Sequence, residues 1–342
     1  MFRATFAAVV TSAILVCGPV RPGEPTGQLR DAAKAAAEKA LPLLKRGAEG
    51  HIAKKTCFAC HNQAMPMLAI TTARERGFIV KDVDLKKQTK FIVNFLDGNQ
   101  ANYKEGRGQG GQVDTAGYAL FTLELGGWTP DATTDAVVEY LLQRDHKTDH
   151  WRPVSNRPPT EASLFTTNYL AVRALKKWGG DAQKERIAKR IDVVRSWVHK
   201  TPTKDTEDRV FRLYALQIVG EPEPKRQPAV DELLRSQRKD GGWGQLDSLD
   251  SDAYATGSAL VALHQAGGLA TSDPAYQRGI AFLLKCQQAD GSWHVRSRSK
   301  PFQPYYETGF PHGKDQFISS AASSWATTAL VLTLPSVRKP PN

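Results

Sequence analysis

Two similar segments that lie 50 residues apart constrain the fold of this chain more than any other feature. Residues 237–243 read QRKDGGW and residues 287–293 read QQADGSW, so both fit the pattern Q-x-x-x-G-x-W. Each segment follows an apolar helical stretch and precedes, after a loop, a helix rich in small residues. The unit is therefore helix, turn, helix, and such units bury their apolar faces only by stacking on one another.

The same unit recurs upstream in a less regular form. Segments 88–127, 134–180 and 184–220 each combine a charged helical stretch with a second helix that is richer in small residues. Segment 29–77 fits the unit too, which makes six hairpins with the two in the last third. We therefore expect an all-α fold in which the small-residue helices form an inner ring and the charged helices form an outer ring.

A C-x-x-C-H run at residues 57–61 carries the clearest chemical signal in the chain. It predicts covalent attachment of haem c, with thioether bonds from Cys57 and Cys60 and with His61 as the proximal iron ligand. The alternatives are a short-loop disulfide and half of a zinc site, although no second C-x-x-C or H-x-x-x-H supplies further ligands. Cys286 lies in an apolar helical run and is expected to be a small buried residue.

Residues 1–22 have the layout of a secretory signal peptide, in which Arg3 precedes an apolar run at 4–16. That run is too short to span a bilayer comfortably, and no later stretch is long enough to be a transmembrane segment. We therefore expect a periplasmic or otherwise extracytoplasmic protein. Val16 stands where a lipoprotein signal has a small residue, which argues against a lipid anchor at Cys17.

The formal charge of +11 over 342 residues is scattered along the predicted helices. No aromatic-interleaved basic stripe accompanies it, and with the export signal this argues against nucleic acid as a partner. Anionic lipid, polysaccharide or an acidic redox partner remain open. We expect the helical domain to cover residues 23–335, with the C-x-x-C-H loop at 51–66 in its first hairpin, and residues 336–342 to form a flexible tail.

The Q-x-x-x-G-x-W units resemble the repeats of the squalene cyclase and prenyltransferase superfamily, whose domains are α/α toroids. In particular, the chain resembles bacterial exported proteins that join a C-x-x-C-H segment to such repeats. The resemblance implies that Gln237 and Gln287 brace helix ends and that Trp243 and Trp293 stack in the turns. These four residues are therefore expected to be structural.

The resemblance implies catalytic motifs that the chain matches poorly. A squalene-hopene type cyclase protonates a double bond with an aspartic acid in a D-x-D-D pattern, whose middle carboxyl group is kept protonated by its neighbours. The nearest match contains Asp250 and Asp252, but Ala253 replaces the final carboxylate. A protein prenyltransferase needs an aspartate two places before a zinc-binding cysteine, and Leu284 holds that place before Cys286. Neither chemistry is expected from these segments.

The loop at residues 294–316 is too long, and too rich in Arg, Tyr and His, to be a plain connector. Long loops on a rigid scaffold are where binding and catalysis concentrate. The alternative is that its side chains pack over the mouth of the ring and satisfy one another. The candidates are Arg296 and Arg298 for binding an anion, Tyr305 and Tyr306 for stacking on a ring or sugar, and Glu307 and His312 for proton transfer.

Closure of the ring would place this loop beside the C-x-x-C-H loop, since the loops that precede inner helices emerge on one rim. The loop with Asp250 and Asp252 follows along that rim. We therefore predict that this mouth is the active or binding site, with His312 as the distal haem ligand or a haem-pocket histidine. Its candidate catalytic residues are His312, Tyr305, Glu307 and Asp252, and its candidate ligand-binding residues are Arg296, Arg298, Tyr306 and Asp250.

Three functional hypotheses follow from these motifs. The first is an exported c-type haem protein that performs electron transfer or redox chemistry on a ligand at the toroid mouth, with a redox partner protein. The second is a haem-free terpenoid-cyclase-like or polysaccharide-lyase-like enzyme with Cys57 and Cys60 as a disulfide. The third is a non-catalytic module that binds a hydrophobic or anionic ligand.

Overall fold

The fold is known from a computed structural model that describes residues 27–301 and 303–337. The predicted signal peptide at 1–22, with Cys17, lies outside the described residues, as does the tail from 338 onward. No helix within the described ranges is long and apolar enough to cross a membrane. The α-helices are α1 Gly27–Lys54, α2 Met65–Glu75, α3 Asp82–Asp97, α4 Gln100–Lys104, α5 Gln112–Leu125, α6 Ala132–Gln143, α7 Leu164–Trp178, α8 Lys184–Lys200, α9 Thr206–Ile218, α10 Glu223–Arg235, α11 Ala253–Gln265, α12 Pro274–Cys286 and α13 Gln316–Val331.

These helices form the six expected hairpins. The pairs are α1/α2, α3/α5, α6/α7, α8/α9, α10/α11 and α12/α13, with the short α4 inserted in the second. The second helix of each pair packs against the second helix of the next, and α13 packs against α2, so the inner ring is closed. The only strands in the described ranges are β1 Trp243–Gly244 and β2 Ser251–Asp252, which pair antiparallel. The α/α toroid with inner and outer rings is therefore confirmed.

Small residues let the inner helices approach one another closely. Every residue of α11 from Ala253 to Leu263 is buried, although this stretch contains Thr256, Gly257 and Ser258. A Cβ atom added at Gly257 would stand 2.6 Å from the backbone carbon of Trp325 in α13. The missing side chain is thus what permits this contact between two inner helices.

Three tryptophans make the same hydrogen bond at the end of an outer helix. The indole N–H groups of Trp151, Trp243 and Trp293 donate to carbonyl oxygens ten residues earlier, at 3.0, 2.9 and 2.8 Å. All three side chains are fully buried. Each bond satisfies one of the last carbonyl groups of its helix, which lack partners within the helix. The acceptors are Leu141, Leu233 and Leu283.

The repeat glutamines join neighbouring hairpins. Gln237 donates from Nε2 to the carbonyl oxygens of Gly241, within its own turn, and of Ala275 in α12. Gln287 donates in the same way within its turn and to the carbonyl of Ala36 in α1. The second bond joins the last hairpin to the first, so the repeat motif itself contributes to ring closure. The expected bracing role is confirmed.

Two details differ from or add to the expectations. Cys286 is exposed at the end of α12, so the prediction of a buried residue is wrong. Cys286 lies on the same face as Phe282 and Leu283, but it is the last residue of α12 and its side chain is exposed at that end of the helix. At the start of the predicted tail, the backbone N–H of Val337 donates to the carbonyl of Glu75 at 2.9 Å.

Candidate functional site

A cavity of about 660 Å³ opens at the rim where the inner helices begin. We call it the mouth cavity. All inner helices run in the same direction, because each follows an outer helix, and their N-terminal ends therefore share this rim. Its size lies within the range of small-molecule sites. It is lined by residues 57–61, by His51, Asp114, Tyr118, Arg157 and Glu161, and by Lys300, Pro301, Gln303 and Tyr306 of the last long loop, among others.

A second cavity of about 330 Å³, the side cavity, adjoins the mouth cavity. The two share His61, Arg157, Glu161 and Lys300 among their walls. The side cavity is closed below by the first turns of α13. Its further lining includes Tyr305, Lys314, Phe317, Ile318 and Ala321.

Both cysteines of the C-x-x-C-H run are free thiols that line the mouth cavity. Cys57 is exposed, whereas Cys60 is buried at the start of a π-helical turn, Cys60–Ala64. The Cys60 thiol donates to Oε1 of Glu161 at 3.1 Å. Burial raises the pKa of Cys60 to about 11, so the thiol keeps its proton at neutral pH. The arrangement is not a disulfide.

His61 presents a free nitrogen between the two cavities. Its Nε2 is shielded from solvent and has no hydrogen-bond partner among the described residues. Its ring packs edge-on against Phe317, with ring centroids 4.9 Å apart. Burial lowers the pKa of His61 to about 3, so the imidazole is neutral at physiological pH. A neutral imidazole with an unpartnered nitrogen is the form that binds a metal.

His51 fixes the C-x-x-C-H loop to the last long loop, a role that no sequence motif indicated. Its Nε2 lies 2.7 Å from the carbonyl oxygen of Cys57, and its Nδ1 lies 2.8 Å from the hydroxyl of Tyr306. A carbonyl only accepts, so Nε2 carries the proton and Nδ1 accepts from Tyr306. Burial lowers the pKa of His51, which favours this neutral form.

The predicted meeting of the first and last loops is what the structure shows at this rim. Tyr306 lines the mouth cavity beside Cys57, and Tyr305 lines the side cavity. The Tyr305 hydroxyl is hydrogen-bonded to Glu307 and accepts from Nε2 of Gln316. Glu307 therefore lies beside Tyr305, although it lines neither cavity.

The remaining loop candidates lie elsewhere on the rim. His312 lines neither cavity; its Nε2 is 2.7 Å from the Ser292 hydroxyl, and its ring stacks on His294 at 4.6 Å between centroids. Arg296 and Asp250 are exposed and line neither cavity. The turn that holds Ser292 against His312 thus directs this histidine away from the mouth.

Asp252 and Arg298 belong to a hydrogen-bonded group beside the mouth. Asp252 caps α11 by accepting the backbone N–H of Ala255 at 2.9 Å, and it also accepts from Nε2 of Gln245 at 2.8 Å. Arg298 donates from Nε to Oε1 of the same Gln245 at 2.8 Å. The geometry gives Asp252 a structural role as a helix cap.

A buried carboxyl group that sequence reasoning overlooked lies inside the ring. Glu207, in the first turn of α9, is fully enclosed. Its Oε1 accepts from the hydroxyls of Thr166 at 3.1 Å and Tyr254 at 3.2 Å. Its Oε2 is shielded from solvent and has no partner among the described residues. Burial first, and then the charge of Asp205, raise the pKa of Glu207 well above its usual range.

Two aspartates flank Glu207 in the segment Asp205-Thr206-Glu207-Asp208. Asp205 caps α9 by accepting the backbone N–H of Asp208 at 2.9 Å. Asp208 accepts from the Ser163 hydroxyl at 2.7 Å and from the backbone N–H of Lys204 at 3.0 Å. The segment fits D-x-D-D with glutamate in the middle. A search that allowed either acid at that position would have found it at the start of a predicted inner helix.

A third cavity, of about 220 Å³, lies within the ring below Glu207. We call it the inner cavity. Phe211, one turn after Glu207 on α9, lines it, and Tyr118 lines both it and the mouth cavity. Glu207 itself lines neither cavity. The aromatic side chains of the inner cavity are Tyr118, Phe121, Tyr169, Phe211, Tyr214 and Trp325.

Replacing Asp114 with asparagine is expected to stabilise the protein above pH 6. Burial raises the pKa of Asp114 to about 6, so the folded state binds more protons than the unfolded state between about pH 4 and 6. Stability therefore falls as pH rises through this window and stays lower above it. We expect Asp114→Asn to raise the unfolding free energy by about 2 kcal/mol at pH 8 and by little at pH 4.

Urea unfolding of both proteins at the two pH values measures this difference. Asp114 keeps one oxygen bonded to the Thr167 hydroxyl at 2.6 Å, a bond that the asparagine carbonyl preserves. An equal effect of the substitution at both pH values would contradict the assignment.

Comparison with known proteins places these features in a common fold. Residues 206–318 match the model of the squalene-hopene cyclase C-terminal domain. The squalene–hopene cyclase of Zymomonas mobilis is 36% identical over 92 residues, which are 27% of this chain and 14% of that protein. The squalene–hopene cyclase of Bradyrhizobium diazoefficiens is 33% identical over 125 residues, covering 31% of this chain and 18% of that protein. The matched parts thus span less than a fifth of these relatives.

Solved structures resemble the chain over most of its length. A variant of the type II terpene cyclase MstE from Scytonema, in complex with geranylgeranyl dihydroxybenzoate, has a TM-score of 0.60 at 10% identity, covering 91% of this chain and 100% of that one. A protein from Actinoplanes has a TM-score of 0.53 at 14% identity, covering 86% and 99%. The chain therefore shares the α/α toroid fold of these structures.

Proposed function

We propose that the protein is a terpenoid-cyclase-like enzyme that starts the rearrangement of an unsaturated carbon chain by protonating it. The observation that carries this proposal is Glu207, a buried carboxyl group with a raised pKa, one helical turn before Phe211, which lines the aromatic inner cavity. A proton donor for a carbon–carbon double bond must stay protonated at neutral pH and must be shielded from water. Burial shields Glu207 from water and raises its pKa, and both effects favour a protonated acid at this position.

The hydrogen bonds at Glu207 determine which oxygen donates. Thr166 and Tyr254 both donate to Oε1, so the acidic proton resides on Oε2, the atom without a partner. The charge of Asp205 disfavours a second negative charge nearby, which keeps Glu207 protonated. Oε2 is sealed from solvent, so substrate binding must rearrange the side chains around it.

The aromatic walls of the inner cavity suit the cation that protonation creates, and the charge of Arg173, which also lines it, is paired with Glu124. Proton transfer from Oε2 forms a C–H bond and leaves a carbocation on the chain and a carboxylate on Glu207. The faces of Phe211, Tyr214 and Trp325 stabilise positive charge without reacting as a base. Attack by another double bond closes a ring. The resulting cation loses a proton from carbon to water, and water returns a proton to the Glu207 carboxylate. The neutral product is an isomer of the substrate.

The test of this proposal is turnover of acyclic isoprenoids in D2O. We expect a cyclic product in which one deuterium from Glu207 replaces one hydrogen, so that its mass exceeds that of the substrate only by the difference between these two isotopes. The protein is incubated with farnesyl and geranylgeranyl compounds, and products are analysed by gas chromatography with mass spectrometry. Recovery of every substrate unchanged and without deuterium would contradict the proposal.

A second function has an observation of its own, the free nitrogen of His61. We propose that Cys57 and Cys60 would hold haem c and that Nε2 of His61 would bind its iron. The residues fit this group because both thiols are free and line the mouth cavity with a neutral imidazole whose Nε2 has no partner among the described residues. Bound haem supplies one-electron transfer. This proposal includes export directed by residues 1–22, and a redox partner protein that approaches at the exposed Cys57.

Replacing both Cys57 and Cys60 with alanine is expected to remove covalent haem. Each thiol adds across one vinyl group of the haem, so the wild-type protein made in a host with c-type maturation machinery gains the mass of one haem. That mass should survive acid-acetone extraction in the wild type, and it should be absent from the double variant. Cys286→Ala is the matched control, because Cys286 is exposed and distant in sequence from the motif. A wild-type mass equal to that of the bare chain would contradict this second proposal.

A further inference from the structure

We propose that the substrate carries an anionic head group, which binds to Lys300 and Lys314 at the side cavity while its apolar tail extends into the ring. This inference rests on the proposed cyclase-like function, because it names the substrate class of that site. It goes beyond that function in predicting an amphiphile, a molecule with one charged end, and not a plain hydrocarbon.

The charge of the side cavity favours an anion. Three cationic side chains, Arg157, Lys300 and Lys314, line it with a single carboxylate, Glu161. Arg157 and Glu161 form an ion pair with each other. Lys300 and Lys314 form no ion pair with any residue in the part of the chain that the structure describes, and both are exposed. Two positive charges are therefore available to a ligand.

The other walls of this cavity favour an apolar chain. They include prolines of two loops and, below, Phe317, Ile318 and Ala321 at the start of α13. Two lysine ammonium groups above an apolar floor match a molecule that has one anionic end and an apolar tail. A neutral hydrocarbon would leave both lysines without a role in binding, whereas a small polar anion would leave the floor uncovered.

The α13 residues that form the floor of the side cavity continue along the helix toward the level of Glu207. Ala321 lines the side cavity, and Trp325, one helical turn further along α13, lines the inner cavity. Tyr254, the hydrogen-bond donor to Glu207, is on α11, the helix that packs against α13. A tail that follows α13 inward from the lysines therefore reaches the level of Glu207. The head group stays at the rim, where water and the lysines solvate it.

Two probes that differ only in the head group test this inference. Farnesyl monophosphate and farnesol have the same tail, and their affinities for the full protein can be measured by titration calorimetry at low and high salt. We expect the phosphate to bind about tenfold more tightly than the alcohol at low salt, with a smaller difference at high salt. The Lys300→Ala/Lys314→Ala variant should lose this preference and keep its affinity for farnesol.

The matched control is Lys239→Ala/Lys285→Ala, which removes two exposed lysines outside these cavities. It should bind both probes as the wild type does. Bound haem would bring its own carboxylates to the same lysines. The comparison is therefore repeated in the Cys57→Ala/Cys60→Ala protein, which has no covalent haem, and the preference for phosphate should persist there.

Each outcome separates the two proposals. Lysine-dependent binding of the phosphate without any conversion would support the head-group site and contradict the proposed reaction. Equal affinities for the two probes, an unchanged preference in the Lys300→Ala/Lys314→Ala variant, or a preference that disappears in the protein without covalent haem would each overturn the inference.

Discussion

Turnover of an acyclic isoprenoid is expected to fall at least about 1,000-fold when Glu207 is replaced with glutamine, because a general acid contributes on the order of 100- to 10,000-fold. Glutamine keeps the volume of the side chain, and its Oε1 accepts the same hydrogen bonds from Thr166 and Tyr254. It has no acidic proton to transfer. The loss should therefore appear in the rate of reaction and not in the folding of the protein.

The controls for this substitution separate acidity from packing. Glu207→Asp keeps an acid on a shorter side chain and should retain more activity than the glutamine variant. Glu185→Gln removes an exposed carboxylate that pairs with Lys189 on α8 and should leave turnover unchanged. Initial rates are measured beside thermal unfolding. A Glu207→Gln protein that folds and turns over within about tenfold of the wild type would refute the assignment of the acid.

The same acid sets the direction of the pH dependence. Because the pKa of Glu207 is raised, the protonated form persists at a pH where an exposed glutamate is ionised. Activity should therefore persist at a pH where an exposed glutamate is ionised, and it should fall as pH rises through this raised pKa.

A single methyl group at Gly50 is expected to lower the free energy of unfolding by about 3 kcal/mol, at the upper end of the cost of overpacking. A Cβ atom at Gly50 would lie 1.8 Å from the carbonyl oxygen of Thr308 and 2.6 Å from its carbon. Both partners are backbone atoms, so helix α1 and the last long loop must separate. The hydrogen bond between His51 and Tyr306 lies next to this contact and should weaken with it.

Gly27→Ala provides the control on the same helix, since among the described residues no atom beyond its own chain neighbours and helix backbone lies within 4 Å of its added Cβ. That variant should be as stable as the wild type. Denaturant unfolding gives the free energies, and limited proteolysis of residues 294–315 reports release of the loop. Equal stability of the two variants would show that the contact at Thr308 does not hold the ring closed.

The architecture was predictable because its determinants are local and repeat along the chain. The Q-x-x-x-G-x-W turns mark where outer helices end. In two of these turns the same hydrogen bond forms, from the indole of Trp243 or Trp293 to the carbonyl ten residues earlier. Hairpins that share one handedness and bury small-residue faces close on themselves. The neighbourhood of residues 51–61 and 300–306 at the mouth follows from that closure.

The candidate site was only partly predictable. His312 and Tyr306 come from the same loop, yet Tyr306 reaches the mouth cavity while His312 bonds to Ser292 at the rim. Composition marks such a loop as functional but does not say which side chains turn inward. Glu207 escaped notice because a glutamate stands where the D-x-D-D pattern has its middle aspartate, and because its burial is not visible in the sequence.

The sequence by itself determined the repeat, the six hairpins, the inner and outer rings and the thiols and imidazole of residues 57–61. Only the tertiary structure decided which carboxyl group keeps its proton and which histidine has a free nitrogen. The physical reason is that a pKa and a missing hydrogen-bond partner depend on every group packed around an atom. For Glu207 and His61 those groups come from hairpins far apart in the chain.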